Sequence, residues 1–331
     1  MRAFVTDPDF TLYLGGASEV LAELQGELVN CVVTSPPYYL LRDYEVEGQI
    51  GLEDTLGDYV EALVDVFRRV RRVLREDGVV WLNLGDTHSS AQRGPRHGKT
   101  STLSTPERQE RVTPVVNKIG RAPGVKPKDL FLVPFEVARA LREDGWWLRQ
   151  TVIWDKTNTI PESAKDRPTT SHEYLFLLAR SRRYWYDASA IEEPAQSSRK
   201  EVVGKASIAR ALWPGIGKRT AAARAGATDG GDQPSIVARA TRNARSVWRG
   251  NCAQFEGDHA AVMPDWIAER CILAGCPSDG VVLDPFAGAG TTALAARKLG
   301  RRSIGIEISE ASCTVAADRL AQLSLLAESA A

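Results

Sequence analysis

The sequence has no apolar run long enough to span a membrane, and its opening residues, MRAFVTDPDFTLYLGG, lack the apolar stretch of a secretory signal. No membrane association is expected, and a cytoplasmic location is. Cysteine is scarce, with five residues scattered along the chain. Cys271 and Cys276 stand with four residues between them and have no second pair, so neither a disulfide framework nor a metal site is expected. There are no internal repeats. Net charge is absent as well, 42 Lys/Arg balancing 42 Asp/Glu.

That zero hides a segregation. From His88 to Lys128 there are nine Lys/Arg against two Asp/Glu, and from Gln196 to Arg249 eleven against three. Two basic stretches in a neutral chain suit a polyanionic partner; the alternative is that both are solvated loops. With 331 residues, 43% of them apolar and 25% charged, the chain has the composition of a soluble globular protein and ample material for a core.

Outside the basic stretches, strand and helix patterns alternate. FTLYLGG reads as a strand, Ser18 to Leu24 as a short helix and LVNCVVT as a second strand. Tyr59, Val60, Leu63, Phe67, Val70 and Leu74 recur at helical steps, predicting a helix over Asp58–Arg75 that ends before the strand GVVWLNLGD. A helix and a strand follow in KDLFLVPFEVARALREDGWWLRQTVIWDK, and HEYLFLLARS with RRYWYD reads as a strand pair. The C-terminal part runs helix (VMPDWIAERCILAGC), strand (GVVLDPF), helix (TTALAARKLG), strand (RSIGIEI) and a last helix from Glu310 to Leu326. The pattern predicts an α/β fold, a doubly wound and mostly parallel sheet covered on both faces.

Two motifs carry chemistry. In VVLDPFAGAGTTALAARKLGRRSIGIEIS a buried strand ends at Asp284, a glycine turn passes through Gly288 and Gly290, and a helix begins at Thr291 or Thr292. The next strand ends at Glu307. Glycines let a ligand approach the backbone, and an acid closing the second strand can take both hydroxyls of a ribose, so this is a nucleoside site at strand ends. No Gly-Lys-Ser/Thr follows the turn and the full G-x-G-x-x-G is missing, which excludes a phosphate loop and weakens a dinucleotide site. The other motif, CVVTSPPYYLL, stops an apolar strand at two prolines and places two large aromatics behind them.

LDPFAGAGTT with GIEIS resembles the S-adenosylmethionine motif of amino-directed DNA methyltransferases, and TSPPY resembles the catalytic motif of the same family. The catalytic motif comes first and the cofactor motif last, which is the circularly permuted order of the β class. The resemblance implies a seven-stranded-type, Rossmann-like methyltransferase sheet. Residues 1–187 would form its catalytic half, with the basic loop 88–128, and residues 251–331 its S-adenosylmethionine half. Residues 188–250 would form an inserted target-recognition region.

It further implies a methyl group moved from S-adenosyl-L-methionine to an exocyclic amine of a base flipped out of double-stranded DNA. Tyr38 would stack on that base, while Ser35 and the carbonyl of Pro36 accept from the amine and Pro37 helps freeze the loop. Methylation at ring carbon five would need a cysteine, typically after proline, and no Pro-Cys dipeptide is present. Ser35 favours cytosine N4, the alternative being adenine N6; a DNA-binding module that no longer turns over is an alternative of another class.

The cofactor set implied is Asp284, Phe286, Ala287, Gly288, Gly290, Thr291, Thr292 and Glu307, with His259 and Pro264 of DHAAVMP at the methionine end. Gly16 departs from the family's Leu-Gly-Asp, leaving the adenine contact absent or supplied nearby, for example by Ser18. Asp86 at the end of LNLGD faces the cleft or caps a helix, Tyr39 packs, and His172 with Glu173 is read as a structural hydrogen bond. Arg199, Lys200, Lys205, Arg210, Lys218, Arg219 and Arg224 are candidate phosphate contacts. A cognate restriction endonuclease and a monomeric or homodimeric state stay open.

Overall fold

A computed structural model of the chain describes residues 2–89, 125–159, 161–162, 164–195, 201–202, 236–237, 241–253 and 263–330. The larger of two compact units comprises Met1–Asp187 and Ser246–Ala331. Its strands are β1 (Ala3–Thr6), β2 (Phe10–Leu14), β3 (Val29–Thr34), β4 (Leu74–Leu84), β5 (Trp147–Lys156), β6 (His172–Ala179), β7 (Val247–Gly250), β8 (Val281–Asp284) and β9 (Arg302–Glu307). Its described helices are α1 (Ala17–Glu23), α2 (Leu56–Val73), α3 (Val133–Glu143), α4 (Asp265–Gly275), α5 (Thr291–Lys298) and α6 (Glu310–Ala330).

The strands form one sheet in the order β1-β2-β9-β8-β3-β4-β6-β5-β7. The pairs β2–β9, β9–β8, β8–β3, β3–β4 and β5–β7 are parallel. The antiparallel joints are β1–β2 and the two flanks of β6. The C-terminal β8 and β9 thus sit between the N-terminal β2 and β3. This is the doubly wound, permuted sheet expected, with β1 and β7 added at its edges.

Alternation along the central strands feeds two helix layers. Val32, Val80 and Leu82 join the cluster of α1, α2 and α3, whereas Cys31, Val79 and Trp81 meet Gly275 at the end of α4. Thr55 starts α2 by accepting from Asp58 N (3.1 Å) while its own hydroxyl reaches Asp58 Oδ2 (2.7 Å). The buried stripe Tyr59, Leu63, Val66, Phe67, Val70 and Val73 then seats α2 on the sheet.

Two expectations fail here. RRYWYD is not a strand, because β6 is paired on both flanks by β4 and β5 and offers no free edge. Residues 182–187 cross the sheet's end instead, Trp185 N donating to Asp77 O (2.9 Å). Residues Val247–Gly250, placed by the resemblance in the recognition region, pair with Ile153–Lys156 of the large sheet. Among the described residues of the smaller unit, Ala188–Arg245, there are two short antiparallel ladders, Glu193–Pro194 with Thr241–Arg242 and Glu201–Val202 with Ile236–Val237. Arg245 Nε lies 2.9 Å from Glu193 Oε2.

Candidate active site

Because β3 and β8 are parallel neighbours, Leu283 opposite Val32, their carboxyl ends open on the same side of the sheet. TSPPY leaves one and the glycine turn leaves the other. Asp284, buried at 6% exposure, joins them. Its Oδ1 accepts from Thr34 Oγ1 (2.7 Å) and Phe286 N (3.0 Å), and its Oδ2 from Thr292 Oγ1 (2.7 Å). Burial pushes this carboxyl up and the three donors pull it back. Asp284 is thereby the clamp of the two motifs, and Thr34, which sequence reasoning passes over, is half of it.

Glu307 at the end of β9 receives Gly288 N on Oε2 and Ser309 N on Oε1, each at 2.8 Å. Each oxygen keeps a further acceptor direction. Burial is the main influence on Glu307 and raises its carboxyl above the usual range. Gly288 (φ +50°) and Gly290 (φ +77°) are left-handed. Gly288 has open space where a Cβ would stand, whereas at Gly290 that atom would meet Ala316 Cβ at 3.0 Å. Gly288 therefore presents bare backbone to the open space beside it, and Gly290 lets α5 begin close to α6.

A cavity of about 380 Å³ lies between these elements. Ser35 and Pro37 line it from one side; Asp284, Phe286, Ala287, Gly288, Thr291, Thr292 and Glu307 line it from the other. Pro36, Tyr38, Gly290 and Pro264 are not in the lining. Pro36 is buried, and Pro264 is the N-cap of α4, so the wall is formed one residue earlier by Met263. His259 and the seven basic residues from Arg199 to Arg224 lie outside the described residues.

Ser18 lines the cavity beside Gly16, as the sequence suggested, and the rest of the wall is unforeseen. The loop after TSPPY is closed at its neck by Leu40 N to Gly51 O (2.7 Å) and braced inside by Tyr44 N to Gln49 Oε1 (2.7 Å) and Gln49 Nε2 to Arg42 O (3.0 Å). It brings Tyr44, Gly48, Gln49 and Ile50 to the cavity. At Gly51 (φ +107°) a Cβ would stand 3.1 Å from Tyr38 O, so this loop packs on the double-proline corner. On the far wall Ser18 and Glu19 line the cavity beside Gly16, and Glu19 Oε2 lies 3.5 Å from where a Cβ of residue 16 would be. A carboxylate thus stands at the place from which the family's usual acid is missing. It is carried from the first turn of α1.

Tyr38 is anchored through its hydroxyl. Ser35 Oγ donates to it (3.3 Å), and it donates to Glu173 Oε2 (2.7 Å). Burial first, and the Glu173 charge next, hold the phenol well above its ordinary range. Gly85 is needed for the ring, since a Cβ there would stand 2.7 Å from Tyr38 Cε2. Glu173 also receives Asn83 Nδ2 (3.0 Å) on Oε2 and lies 2.5 Å from Lys156 Nζ through Oε1. Sequence reasoning leaves Glu173 a structural bond, and the structure ties it to the TSPPY tyrosine.

His172 Nε2 instead meets Tyr174 Oη (2.9 Å). Asp86 Oδ1 accepts from Thr87 N (2.9 Å) and from Val133 N (3.1 Å) at the start of α3, which makes it a helix cap. Tyr39 packs in the core against Tyr59 and Phe131. Tyr59 Oη donates to Pro37 O (2.9 Å), fixing the corner from below. Among the described residues there is no cluster able to hold a metal ion.

The family model described as DNA methylase matches residues 29–318 and so spans both motifs. The chain is 39% identical to the Type II methyltransferase M.SmaI of Serratia marcescens, over 93% of its own length and 90% of that protein. It is 36% identical to the Type II methyltransferase M.Cfr9I of Citrobacter freundii, over 94% and 87%. Among solved structures, the PvuII DNA methyltransferase (cytosine-N4-specific) superposes with a TM-score of 0.59 at 17% identity, covering 94% of this chain and 86% of that one. A Thermus thermophilus protein solved in complex with S-adenosyl-L-methionine superposes with a TM-score of 0.52 at 23% identity, over 94% of each chain. These two likenesses establish the fold. With the family match running from β3 through the glycine turn into α6, the chain belongs to the DNA methylase family.

Proposed function

We propose that the cavity binds S-adenosyl-L-methionine and that the protein methylates the exocyclic N4 amine of cytosine in duplex DNA. The observation that carries this reading is one cavity lined both by Ser35 and Pro37 and by the glycine turn with Glu307. Its residues suit the cofactor. Bare backbone at Gly288 admits a close ligand, the free acceptor directions of Glu307 suit two ribose hydroxyls, and Phe286 supplies an apolar wall. Glu19 stands where it can accept from the adenine amine. When bound, the cofactor supplies an electrophilic methyl group on a sulfonium.

The protein's own share is to hold the amine. Ser35 Oγ and the Pro36 carbonyl accept its hydrogens and localise its lone pair, and the double proline keeps these acceptors in place without reorganisation. Tyr38, pinned at its hydroxyl, offers its ring to the flipped base. The basic stretches, from His88 to Lys128 and from Gln196 to Arg249, supply the charge that duplex DNA requires. Serine before the prolines, together with a structural neighbour described as cytosine-N4-specific, supports cytosine over adenine. The similarity to Type II methyltransferases supports a place in restriction–modification.

The test is transfer of label from methyl-labelled S-adenosylmethionine to unmodified bacterial duplex DNA, followed by digestion to nucleosides. N4-methylcytosine is expected. N6-methyladenine would overturn the base assignment, and unlabelled DNA would overturn the activity.

A further inference from the structure

An amine that gains a methyl group has a proton to lose, and Ser35, a neutral hydroxyl, cannot keep it. We propose that Ser35, Tyr38 and Glu173 form a relay that passes this proton to the Glu173 carboxylate; the inference rests on the methyl-transfer reading above. The three side chains already stand in order for it. Ser35 Oγ donates to Tyr38 Oη at 3.3 Å and Tyr38 Oη donates to Glu173 Oε2 at 2.7 Å, so each hydroxyl gives in the direction of the carboxylate.

Besides Tyr38, two groups fix the carboxylate at the end of the chain. Asn83 Nδ2 donates to the same Glu173 oxygen (3.0 Å) and to Tyr174 O (3.2 Å), so its amide cannot turn away. Lys156 Nζ pairs with the other oxygen at 2.5 Å, the two side chains being 18% and 14% exposed. A carboxylate so shielded, with its charge balanced by an ammonium, is costly to assemble as a simple fastening for a tyrosine. Its Oε2 stands at the far end of the two hydroxyls, where a proton passed along them arrives.

In the step, the N–CH₃ bond forms as the donor's S–CH₃ bond breaks, and the donor leaves as a neutral thioether. The amine proton passes to Ser35 Oγ, the Ser35 proton to Tyr38 Oη, and the Tyr38 proton to Glu173 Oε2. The products are a neutral methylated amine, intact Ser35 and Tyr38 hydroxyls, and a protonated Glu173 that returns its proton to water between turnovers. Tyr38 then has two separable duties, a ring for the base and a hydroxyl for the proton. Glu173 acts only through it.

The experiment is single-turnover transfer of labelled methyl to unmodified duplex DNA by the full chain and by Tyr38→Phe, Glu173→Gln and Glu173→Asp. Dissociation constants for S-adenosylmethionine and for DNA are measured alongside. Tyr38→Phe keeps the ring and removes only the link; Glu173→Gln keeps an acceptor for Tyr38 but takes no proton. Both are expected to slow the step about 100-fold, the scale of one proton-transfer contribution. Both constants should change less than about threefold, and Glu173→Asp should recover about tenfold of the rate. A solvent deuterium effect in the parent should be absent in Tyr38→Phe, which a structural role would not produce.

Rates within about threefold of the parent in both Tyr38→Phe and Glu173→Gln would overturn the relay alone. So would a deficit that vanishes at saturating DNA, because that is a binding effect. If Glu173→Gln fails to fold, Tyr38→Phe decides. A parent that transfers no label would overturn the methyl-transfer reading and the relay with it.

Discussion

The clamp at Asp284 is the element on which the meeting of the two motifs depends, and Thr292→Val tests it with little change of shape. Thr292 is 2% exposed and donates to Asp284 Oδ2 at 2.7 Å. Valine fills nearly the same volume, so the substitution leaves a buried carboxylate oxygen without its donor. That costs about 2 kcal/mol, within the range for an unsatisfied buried acceptor. At about 2–4 °C per kcal/mol for a domain of moderate size, the melting temperature should fall by about 4–8 °C.

The pH dependence has a definite sign. Burial, the largest influence, raises the Asp284 carboxyl in the fold above its unfolded value, and Thr292 is one of the donors opposing that rise. A folded value above the unfolded one means that the native state holds the proton more tightly. The contribution to stability is then complete below the unfolded value, about 3.9, and is lost as pH rises through the folded one. Thr292→Val removes a restraint and raises the folded value further, so its penalty should be full at neutral pH and shrink on acidification. Denaturant midpoints at neutral and mildly acidic pH measure this. An unchanged midpoint at neutral pH, or a penalty that grows on acidification, would refute the clamp.

Gly85→Ala puts a methyl group 2.7 Å from the present Tyr38 Cε2, so methyl transfer should fall at least about tenfold while cofactor affinity holds; equal rates would show that the ring position is immaterial. Glu307→Gln leaves one of two backbone donors facing an amide, and S-adenosylmethionine affinity measured by calorimetry should drop about 10- to 100-fold. Because burial raises the Glu307 carboxyl, parental affinity should decline on acidification before the pH reaches the ordinary carboxylate value of about 4.3. Glu19→Ala should weaken cofactor binding about 3- to 10-fold, and adding Gly16→Asp should restore it; no change in either variant would remove Glu19 from the site.

How much of this is legible without coordinates depends on range. The glycine turn is local: a strand, two left-handed glycines, a helix and an acid closing the next strand follow one another within the segment that ends at Glu307, and each announces the next. TSPPY is equally local, because proline stops a strand wherever it stands. Glu173 is a different matter. It meets Tyr38 across 135 positions only because β6 runs antiparallel beside β4, and nothing in SHEY signals that placement. The aromatic run in RRYWYD suggests a strand, but strand pairing needs a free edge and β6 has none. Val247–Gly250 is four residues at the end of a basic stretch, too short for its period to stand out, and its identity comes from β5. Glu19 was within reach: three residues after Gly16, at the entry of a predicted helix, it falls on the same side of the first turn.

The most direct test of the account sets the parent beside Ser35→Ala, measuring S-adenosylmethionine affinity and methyl transfer to duplex DNA on the same samples. The expected result is N4-methylcytosine from the parent, with Ser35→Ala binding the cofactor equally well and transferring about 100-fold more slowly, the scale of one lost hydrogen-bond partner in a preorganised site. A parent that binds the cofactor and labels no DNA, or a Ser35→Ala protein that transfers as fast as the parent, would contradict the claim that the two motifs meet in one cavity to methylate a base.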